Sequence, residues 1–327
     1  MSFAVRSAVF VVFALLLSLA QAQTQTWPTR PVTMVVPFAA GGPMDVVGRI
    51  MALGLGDQLS QQVIVENVGG GGGMTGAARV AKAPPDGSQF VLGNVGTHAV
   101  SQSLSKNPPY NVAADFAPVA LLADLSLVLV TRRDLPAANL QEFIAYTRAN
   151  QDKMQFASAS AGSATHLGCA LLNAAIGVNV THIPYRGGGP AMQDIVAGRA
   201  DYICIDTPGV ISLIESGQIK AMAVLSGSRT ASLPNVPTAQ EQGLAGFEAA
   251  NWAAFFMAKG TPAPIVERLA AASAATTGSD AVQKRMKEIG VDPFAPERRS
   301  PEYLAKFVDA EIAKWAGPVK ASGLATD

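Results

Sequence analysis

Short apolar segments alternate with amphipathic segments along most of the chain, which is the pattern of an α/β protein. Residues 32–36 form a continuous β-branched and apolar run, typical of a strand buried on both faces. After a glycine-containing loop, apolar residues recur with helical spacing over residues 46–55. The same succession of strand and helix recurs over residues 126–149 and 154–176. This alternation predicts two α/β domains with mainly parallel sheets.

The pattern also predicts the individual elements. The predicted strands are residues 32–36, 63–65, 90–92, 126–130, 154–157, 180–183, 202–205 and 221–225. The predicted helices are residues 43–55, 77–81, 140–149, 164–176, 190–198, 264–275, 280–289 and 301–315, and most of the chain after residue 225 is predicted to be helical.

The first 22 residues have the features of a secretory signal peptide. Arg6 supplies a positive charge, residues 8–17 are apolar, and Ala20-Gln21-Ala22 fits the small-x-small cleavage rule. The apolar run is short for a membrane span and lacks a positive stop-transfer flank. We therefore expect cleavage after Ala22, a mature chain that begins at Gln23, and a periplasmic location.

Composition narrows the classes of partner. The chain has 24 basic and 24 acidic residues, so it lacks the basic surface that nucleic-acid binding requires. Its two cysteines, Cys169 and Cys204, could form a disulfide in an exported protein, or could remain two buried thiols. The three histidines show no metal-ligand spacing with the cysteines, so no metal site and no cofactor are expected.

Three glycine-containing loops stand between a predicted strand and a predicted helix, at residues 38–42, 160–165 and 185–189. Such a loop exposes unpaired backbone N–H groups beside the positive end of a helix dipole, and can bind an anion without Lys or Arg. Ser160, Ser163 and Thr165 add hydroxyl donors. A fourth glycine run, at residues 69–73, allows a further close backbone approach. A carboxylate fits such a set of donors.

Two of these loops repeat one another in sequence. Residues 36–43 read VPFAAGGP and residues 183–190 read IPYRGGGP, and they align without a gap. The repeat is too short to establish a duplication. It does indicate that the two loops serve the same physical purpose.

Motifs of an enzyme are missing from these loops. None of them contains a P-loop or a dinucleotide fingerprint, and the sequence around Ser158 and Ser160 lacks the G-x-S-x-G of a nucleophile elbow. A secreted hydrolase that uses Ser160 and His166 remains the alternative, without a recognisable third triad member. Asp45 fits a helix-surface or capping residue as well as a catalyst. The sequence therefore indicates a binding protein rather than an enzyme.

Several ordered motifs resemble one family over nearly the whole mature chain. They are WPTRPV at residues 27–32, VPFAAGGPMD at 36–45, APPDG at 83–87, HIPYRG at 182–187, LPNVPT at 233–238 with Glu241 and Gly243, and Thr261-Pro262. These motifs resemble the receptors of tripartite tricarboxylate transporters, often called the Bug family.

The resemblance implies a two-lobed type II periplasmic-binding-protein fold with the ligand cleft between the lobes. Lobe 1 would comprise residues 23–123 and 226–327, and lobe 2 residues 124–225. It also implies a periplasmic receptor that holds a small carboxylate through backbone amides and delivers it to membrane transporter subunits. The receptor would act as a monomer. A periplasmic sensor without a transporter remains a further alternative.

Residues from the loops and from the resemblance together make up the predicted ligand site. Asn94 and His98 lie on a loop that varies in such receptors, and Asp206 falls where the far end of a ligand would lie. The predicted ligand-binding residues are Phe38, Ala39, Ala40, Gly41, Gly42, Asn94, His98, Ser160, Ala161, Gly162, Ser163, Thr165, His166, Tyr185 and Asp206. The ligand itself could be a dicarboxylate, an acidic amino acid or an aromatic carboxylate.

Overall fold

The computed structural model describes residues 27–104 and 106–321, so the predicted signal peptide and its cleavage site lie outside the described residues. The strands are β1 (Val32–Val36), β2 (Val63–Asn67), β3 (Gln89–Asn94), β4 (Phe116–Arg132), β5 (Gln155–Ser158), β6 (Thr181–Pro184), β7 (Tyr202–Asp206), β8 (Ile219–Val224), β9 (Ala250–Ala258) and β10 (Val291–Pro293). The α-helices are α1 (Pro43–Leu59), α2 (Met74–Ala81), α3 (Ser101–Leu104), α4 (Val112–Asp115), α5 (Leu140–Asn150), α6 (Ala164–Ile176), α7 (Gly188–Val196), α8 (Ile211–Glu215), α9 (Ala263–Gly278), α10 (Asp280–Glu288) and α11 (Pro301–Ala321).

The long strand β4 connects two sheets. In the order β2-β1-β3-β9-β4-β7-β5-β6, β4 pairs with β9 along residues 116–126 and with β7 along residues 127–131. We call β1, β2, β3, β9, β10 and the start of β4 the first sheet. The end of β4 with β5, β6, β7 and β8 is the second sheet.

Helices cover both faces of the first sheet. On one face, β1 contributes Met34 to a core that includes Met51 of α1 and Leu269 of α9. On the other face, Val35 lies in a core with Val80 of α2 and Leu304 of α11. Because β1 is buried on both faces, its five residues are almost all apolar.

The second sheet is covered in the same way, with α5 and α6 on one face and α7 on the other. Cys169 of α6 and Cys204 of β7 face each other across this packing, and both are fully buried. Their sulfur atoms are bonded, and their Cα atoms lie 5.3 Å apart. The disulfide therefore fixes α6 against β7.

The predicted α/β fold class is confirmed, but two details of the prediction are wrong. The sheets are mixed, because β4, β8, β9 and β10 pair antiparallel while β1, β2, β3 and the pairs of β5 are parallel. The chain after residue 225 is also not mainly helical at first, since residues 250–258 form the central strand β9. The segment ANWAAFFMA has no alternation because both of its faces are buried.

Among the described residues, no helix combines the length and the apolar character needed to cross a membrane.

Candidate functional site

The 38–42 loop is held in shape by a buried carboxylate. Gly41 N–H donates to Asp45 Oδ2 at 2.9 Å, and Arg49 Nε donates to the same oxygen at 2.9 Å. The other oxygen, Oδ1, accepts from Asn67 Nδ2 at 2.9 Å, and that amide also contacts the Phe38 carbonyl oxygen at 3.0 Å. Burial acts to raise the pKa of Asp45, but the hydrogen bonds from Arg49, Gly41 and Asn67 lower it below its usual value. The charged form of Asp45 therefore organises the loop.

The two loops that repeat in sequence face each other across the sheets. Ala39 N–H donates to the Arg186 carbonyl oxygen at 3.1 Å. A Cβ placed on Gly42 would lie 3.2 Å from the Gly189 nitrogen. In the gapless alignment Ala39 corresponds to Arg186 and Gly42 to Gly189, so equivalent positions make both contacts. We call residues 38–43 and 185–190 the twin loops.

A second contact between the sheets uses the 69–73 glycine run. Gly72 N–H donates to Ser160 Oγ at 3.0 Å. Gly72 has a φ of +69°, and a Cβ there would lie 2.6 Å from the Ala161 carbonyl oxygen. Only glycine combines this backbone conformation with so close an approach. The loop at residues 160–165 thus lies against the 69–73 glycine run of the first sheet.

Several backbone donors of these loops have no protein partner. Within residues 27–104 and 106–321, no acceptor lies in hydrogen-bonding range of the N–H groups of Phe38, Ala40 or Gly42. The first-turn N–H groups of Ala164 and Thr165 in α6 are also unpaired within the described residues, whereas Ser163 caps the helix by accepting from His166 N–H. Such unpaired amides beside helix N-termini favour an anionic ligand.

His166 is a structural neighbour of this loop rather than a proton carrier for Ser160. Its Nδ1 accepts from Gly162 N–H at 3.0 Å, and its ring stacks on His182 with centroids 3.9 Å apart. Burial, with a smaller contribution from His182, lowers the pKa of His166 to about 3. Among the described contacts, Ser160 Oγ pairs with Gly72 and not with His166. The geometry of a Ser–His pair at these two residues is therefore missing from the described structure.

Ser158 and Tyr185 also have partners within the second sheet. Ser158 Oγ lies 2.7 Å from His182 Nε2. The hydroxyl of Tyr185 donates to Asp194 Oδ2 at 2.6 Å, so its aromatic end is tied to α7 while its backbone belongs to a twin loop.

His98 does not join the loops, which corrects the prediction. Its ring is fully buried, stacks on Phe256 with centroids 3.8 Å apart and contacts Phe116 edge-on. Burial lowers its pKa to about 3. The side chain is therefore part of the core behind the first sheet. The prediction placed His98 at the ligand, whereas its uncharged imidazole packs among aromatic rings.

Asn94 stays near the site and shapes the turn after β3. Asn94 Oδ1 accepts from Thr97 N–H at 3.1 Å, while Thr97 Oγ1 accepts from Asn94 N–H at 2.9 Å. Gly96, in the same turn, lies against α6, since a Cβ on it would be 3.0 Å from the Ala164 nitrogen. The turn thus contacts the start of α6, where unpaired amides lie.

Asp206 connects the two sheets from the end of β7. It is 3% exposed, and its Oδ1 accepts from Asn251 Nδ2 of β9 at 2.8 Å. Asn251 Oδ1 in turn accepts from Val95 N–H at 3.3 Å. Burial raises the pKa of Asp206 to about 7, against an ordinary value of 3.8. This carboxyl therefore changes charge near neutral pH.

The described residues contain no group of three or more His, Cys, Asp or Glu side chains arranged to hold a metal ion. The converging loops offer backbone amides and hydroxyls to a ligand.

Comparison with solved structures defines the class of protein. The structure of the periplasmic binding protein BugD matches with a TM-score of 0.89 and 39% identity, covering 92% of this chain and 100% of that one. MatC from Rhodopseudomonas palustris, solved with bound malate, matches at 0.87 and 38%, covering 90% and 100%. Another R. palustris protein, solved with adipate, matches at 0.86 and 34%, covering 91% and 98%. The fold is that of a periplasmic binding protein, as predicted.

The family follows from the sequence. The family model described as "Tripartite tricarboxylate transporter family receptor" matches residues 47–324, which is most of the chain. The chain belongs to this family, whose members are solute-binding receptors, and the resemblance seen in its motifs is confirmed.

Asp45, Asn67 and Asn251 support the candidate site but are not among the residues that the sequence predicts for it. The sequence fits Asp45 to a helix-surface, capping or catalytic role, whereas in the structure it lies three residues after Gly42 and supports the 38–42 loop. Asp45 and Arg49 are four residues apart in α1 and form an ion pair. This spacing is the sequence signal that indicates a carboxylate neutralised by an arginine. Asn67 and Asn251 are distant in sequence, and no local signal marks them.

Asp45→Asn is expected to lower both stability and ligand affinity. The asparagine amide cannot accept from Gly41, Arg49 and Asn67 together, so one partly buried donor loses its protein acceptor, which costs about 0.5–1.5 kcal/mol. The substitution also removes a negative charge, which alone would favour an anionic ligand. A weaker affinity in isothermal titration would thus show that the loss of loop hydrogen bonds outweighs the loss of the negative charge.

Glu66→Gln is the matched control, because it removes a carboxylate from the exposed pair with Arg79 on the same sheet. We expect it to change neither property by more than about 0.5 kcal/mol. Tighter binding by Asp45→Asn would contradict the role in loop support.

Proposed function

We propose that this receptor captures a small carboxylate in the periplasm and delivers it to the membrane subunits of a tripartite tricarboxylate transporter. The observation that carries the proposal is the set of unpaired backbone amides where the loops converge. The 38–42, 160–165 and 185–189 loops contain no Lys, and their permanent cation is the exposed Arg186. An anion buried there must be stabilised by amides, hydroxyls and helix N-termini.

The relatives support the same chemistry. MatC was solved with malate and its R. palustris homologue with adipate, and both ligands are carboxylates. By analogy, we propose that the carboxylate of the ligand lies between the 38–42 loop and residues 160–165. The predicted residues Ala40, Gly42, Ser160, Ala161 and Thr165 would provide its donors.

We also propose that the two sheets are the cores of two lobes that close over the ligand. Residues 23–123 and 226–327 would form lobe 1, and residues 124–225 would form lobe 2. The twin loops come from opposite lobes of one chain, so a monomer contains the complete site. Export and cleavage after Ala22 belong to this proposal.

A thermal-shift panel of carboxylates tests the function. A ligand that binds the folded state raises stability by about 2.7 kcal/mol at a hundredfold excess over its Kd. We expect mono- or dicarboxylates to raise the melting temperature, and their uncharged amides to have no effect. If no carboxylate stabilises the protein at millimolar concentration, the proposal is wrong.

Asp206 is expected to make stability depend on pH between about 4 and 7, and ligand binding depend on pH near 7. The folded protein retains the Asp206 proton up to a pKa of about 7, whereas the ordinary value is 3.8. Because the folded state then binds more protons than the unfolded state, this group makes the free energy of unfolding fall as pH rises through that window. Above pH 7, the new charge should also weaken carboxylate binding.

Asp206→Asn removes this titration and keeps an acceptor for Asn251. Denaturant unfolding and titration calorimetry at pH 5, 6 and 8 should show a smaller pH dependence than in the wild type. Asp152→Asn, at an exposed position, is the control. An unchanged pH profile in Asp206→Asn would show that Asp206 causes the pH dependence of neither stability nor ligand binding.

A further inference from the structure

A cavity of about 480 Å³ opens between the twin loops. Ala40, Gly41 and Pro43 line it from one loop, and Gly188, Gly189 and Pro190 line it from the other. Pro43 and Pro190 are equivalent positions in the sequence repeat, as are Gly41 and Gly188. Because its walls come from both sheets, the cavity has this shape only while the twin loops are in contact.

The rest of the cavity wall is mainly apolar. Met192 and Leu213 contribute hydrocarbon surface, and the fully buried side chains of Ile205 and Val210 form the apolar layer behind them. Val196, at the edge, is 40% exposed although its side chain is apolar. An exposed apolar surface beside a cavity between two lobes is where an apolar ligand group gains from leaving water.

Charge is missing from this wall. Among the described residues that line the cavity, none carries an ionisable side chain, and the polar side chains are Gln193 and Gln218, both exposed at the rim. A second carboxylate placed in the cavity would lose hydration without gaining a cation. The cavity thus discriminates against short dicarboxylates and favours a hydrocarbon body.

The 38–42 loop links this cavity to the proposed carboxylate site. Ala40 lines the cavity and also has a backbone N–H without a protein partner in the described structure. A ligand can therefore place its carboxylate at the loop and extend its apolar part along Ala40 and Gly41 into the cavity.

We propose that this groove, lined by Ala40, Gly41, Met192, Ile205, Val210 and Leu213, is a subsite for the apolar body of the ligand. The substrate class is then a monocarboxylate with a ring or a branched chain. This inference rests on the proposed function. The occupied groove also joins the two sheets, so the apolar body contributes to closure.

Isothermal titration with cyclohexanecarboxylate, benzoate, succinate and malate tests the subsite. We expect the cyclic monocarboxylates to bind at least tenfold more tightly than succinate and malate. Leu213→Gln, on the groove wall, should weaken cyclohexanecarboxylate about fivefold and leave succinate within twofold. Met192→Gln is the second variant, used if Leu213→Gln fails to show a cooperative melt. Leu53→Gln, at an exposed position of α1, is the matched control.

The outcomes separate the two proposals. Tight binding of succinate or malate with weak binding of the cyclic acids overturns the subsite and leaves the carboxylate receptor intact. Equal losses for cyclic acids and succinate in the wall variants also overturn the subsite. If none of the four acids binds, the subsite is overturned, and the wider thermal-shift panel of carboxylates decides the proposed function.

Discussion

Gly187→Ala is expected to weaken ligand binding by roughly 5- to 150-fold while leaving the ligand-free protein about as stable as the wild type. The φ of Gly187 is 164°, an extended conformation that alanine adopts readily. A Cβ there would lie 2.7 Å from the Ala39 nitrogen and 2.8 Å from the Ala39 Cβ. Overpacking of this kind costs about 1–3 kcal/mol, and 1.4 kcal/mol is tenfold in affinity.

Ligand affinity and the stability of the ligand-free protein should respond differently, because the clashing atoms of Ala39 belong to the opposite twin loop. If the lobes of the ligand-free protein can part, the methyl group is accommodated, and it opposes only the closed arrangement. Titration calorimetry with the best carboxylate measures the loss, and thermal unfolding without ligand measures stability. Gly278→Ala is the control, since a Cβ there meets nothing within 4 Å. An unchanged Kd in a folded Gly187→Ala protein would show that the contact between Ala39 and Gly187 is not needed for binding.

The structure moves this test away from the glycine that the sequence favours. Gly41 is one of the predicted ligand-binding residues, and the sequence predicts that a bulky substitution there blocks close backbone approach. In the structure its φ is +78° and a Cβ would meet nothing within 4 Å. Valine at Gly41 would strain the backbone without closing any gap. A run of glycines predicts close packing somewhere in a loop. Which glycine makes the close contact depends on the opposite loop, and here it is Gly187.

The local sequence pattern predicts the bounds of an element correctly where nearby residues determine its structure. Residues 32–36 and 164–176 form β1 and α6 at the predicted bounds. Strand β4 extends ten residues further toward the N-terminus than the predicted 126–130, because its first part pairs with β9, more than 100 residues away. Such pairing leaves no periodic trace when both faces are covered.

The same limit applies to the site. The converging glycine loops were identifiable because backbone donors at strand-to-helix turns have a local signature. His98 was misplaced because its burial depends on Phe116 and Phe256, from two distant strands. The support of the 38–42 loop by Asn67, and of Asp206 by Asn251, likewise depends on contacts across the fold.

Removing the disulfide is expected to cost about 4 kcal/mol of stability. Cys169 and Cys204 are separated by 35 residues, and in the chain-entropy model a loop of this length restricts the unfolded state by that amount. For a chain of about 300 residues, an unfolding entropy of about 2.1 cal/mol/K per residue gives roughly 1.6 °C per kcal/mol, so Tm should fall by about 6 °C. Cys169→Ala with Cys204→Ala tests this by thermal unfolding in oxidising buffer.

This bond also lies close to the proposed ligand site. Cys169 is in α6, which begins beside the capping residue Ser163, and Cys204 is two residues before Asp206. The double variant should therefore bind the carboxylate more weakly as well, by a factor smaller than its loss of stability implies, since the folded packing of α6 on β7 persists without the bond. Wild-type protein melted with and without a reductant is the control, and the reduced form should behave as the double variant does. Two reactive thiols in the denatured, unreduced wild type would show that the cysteines are not paired, and an equal Tm for both proteins would show that the bond does not stabilise the fold.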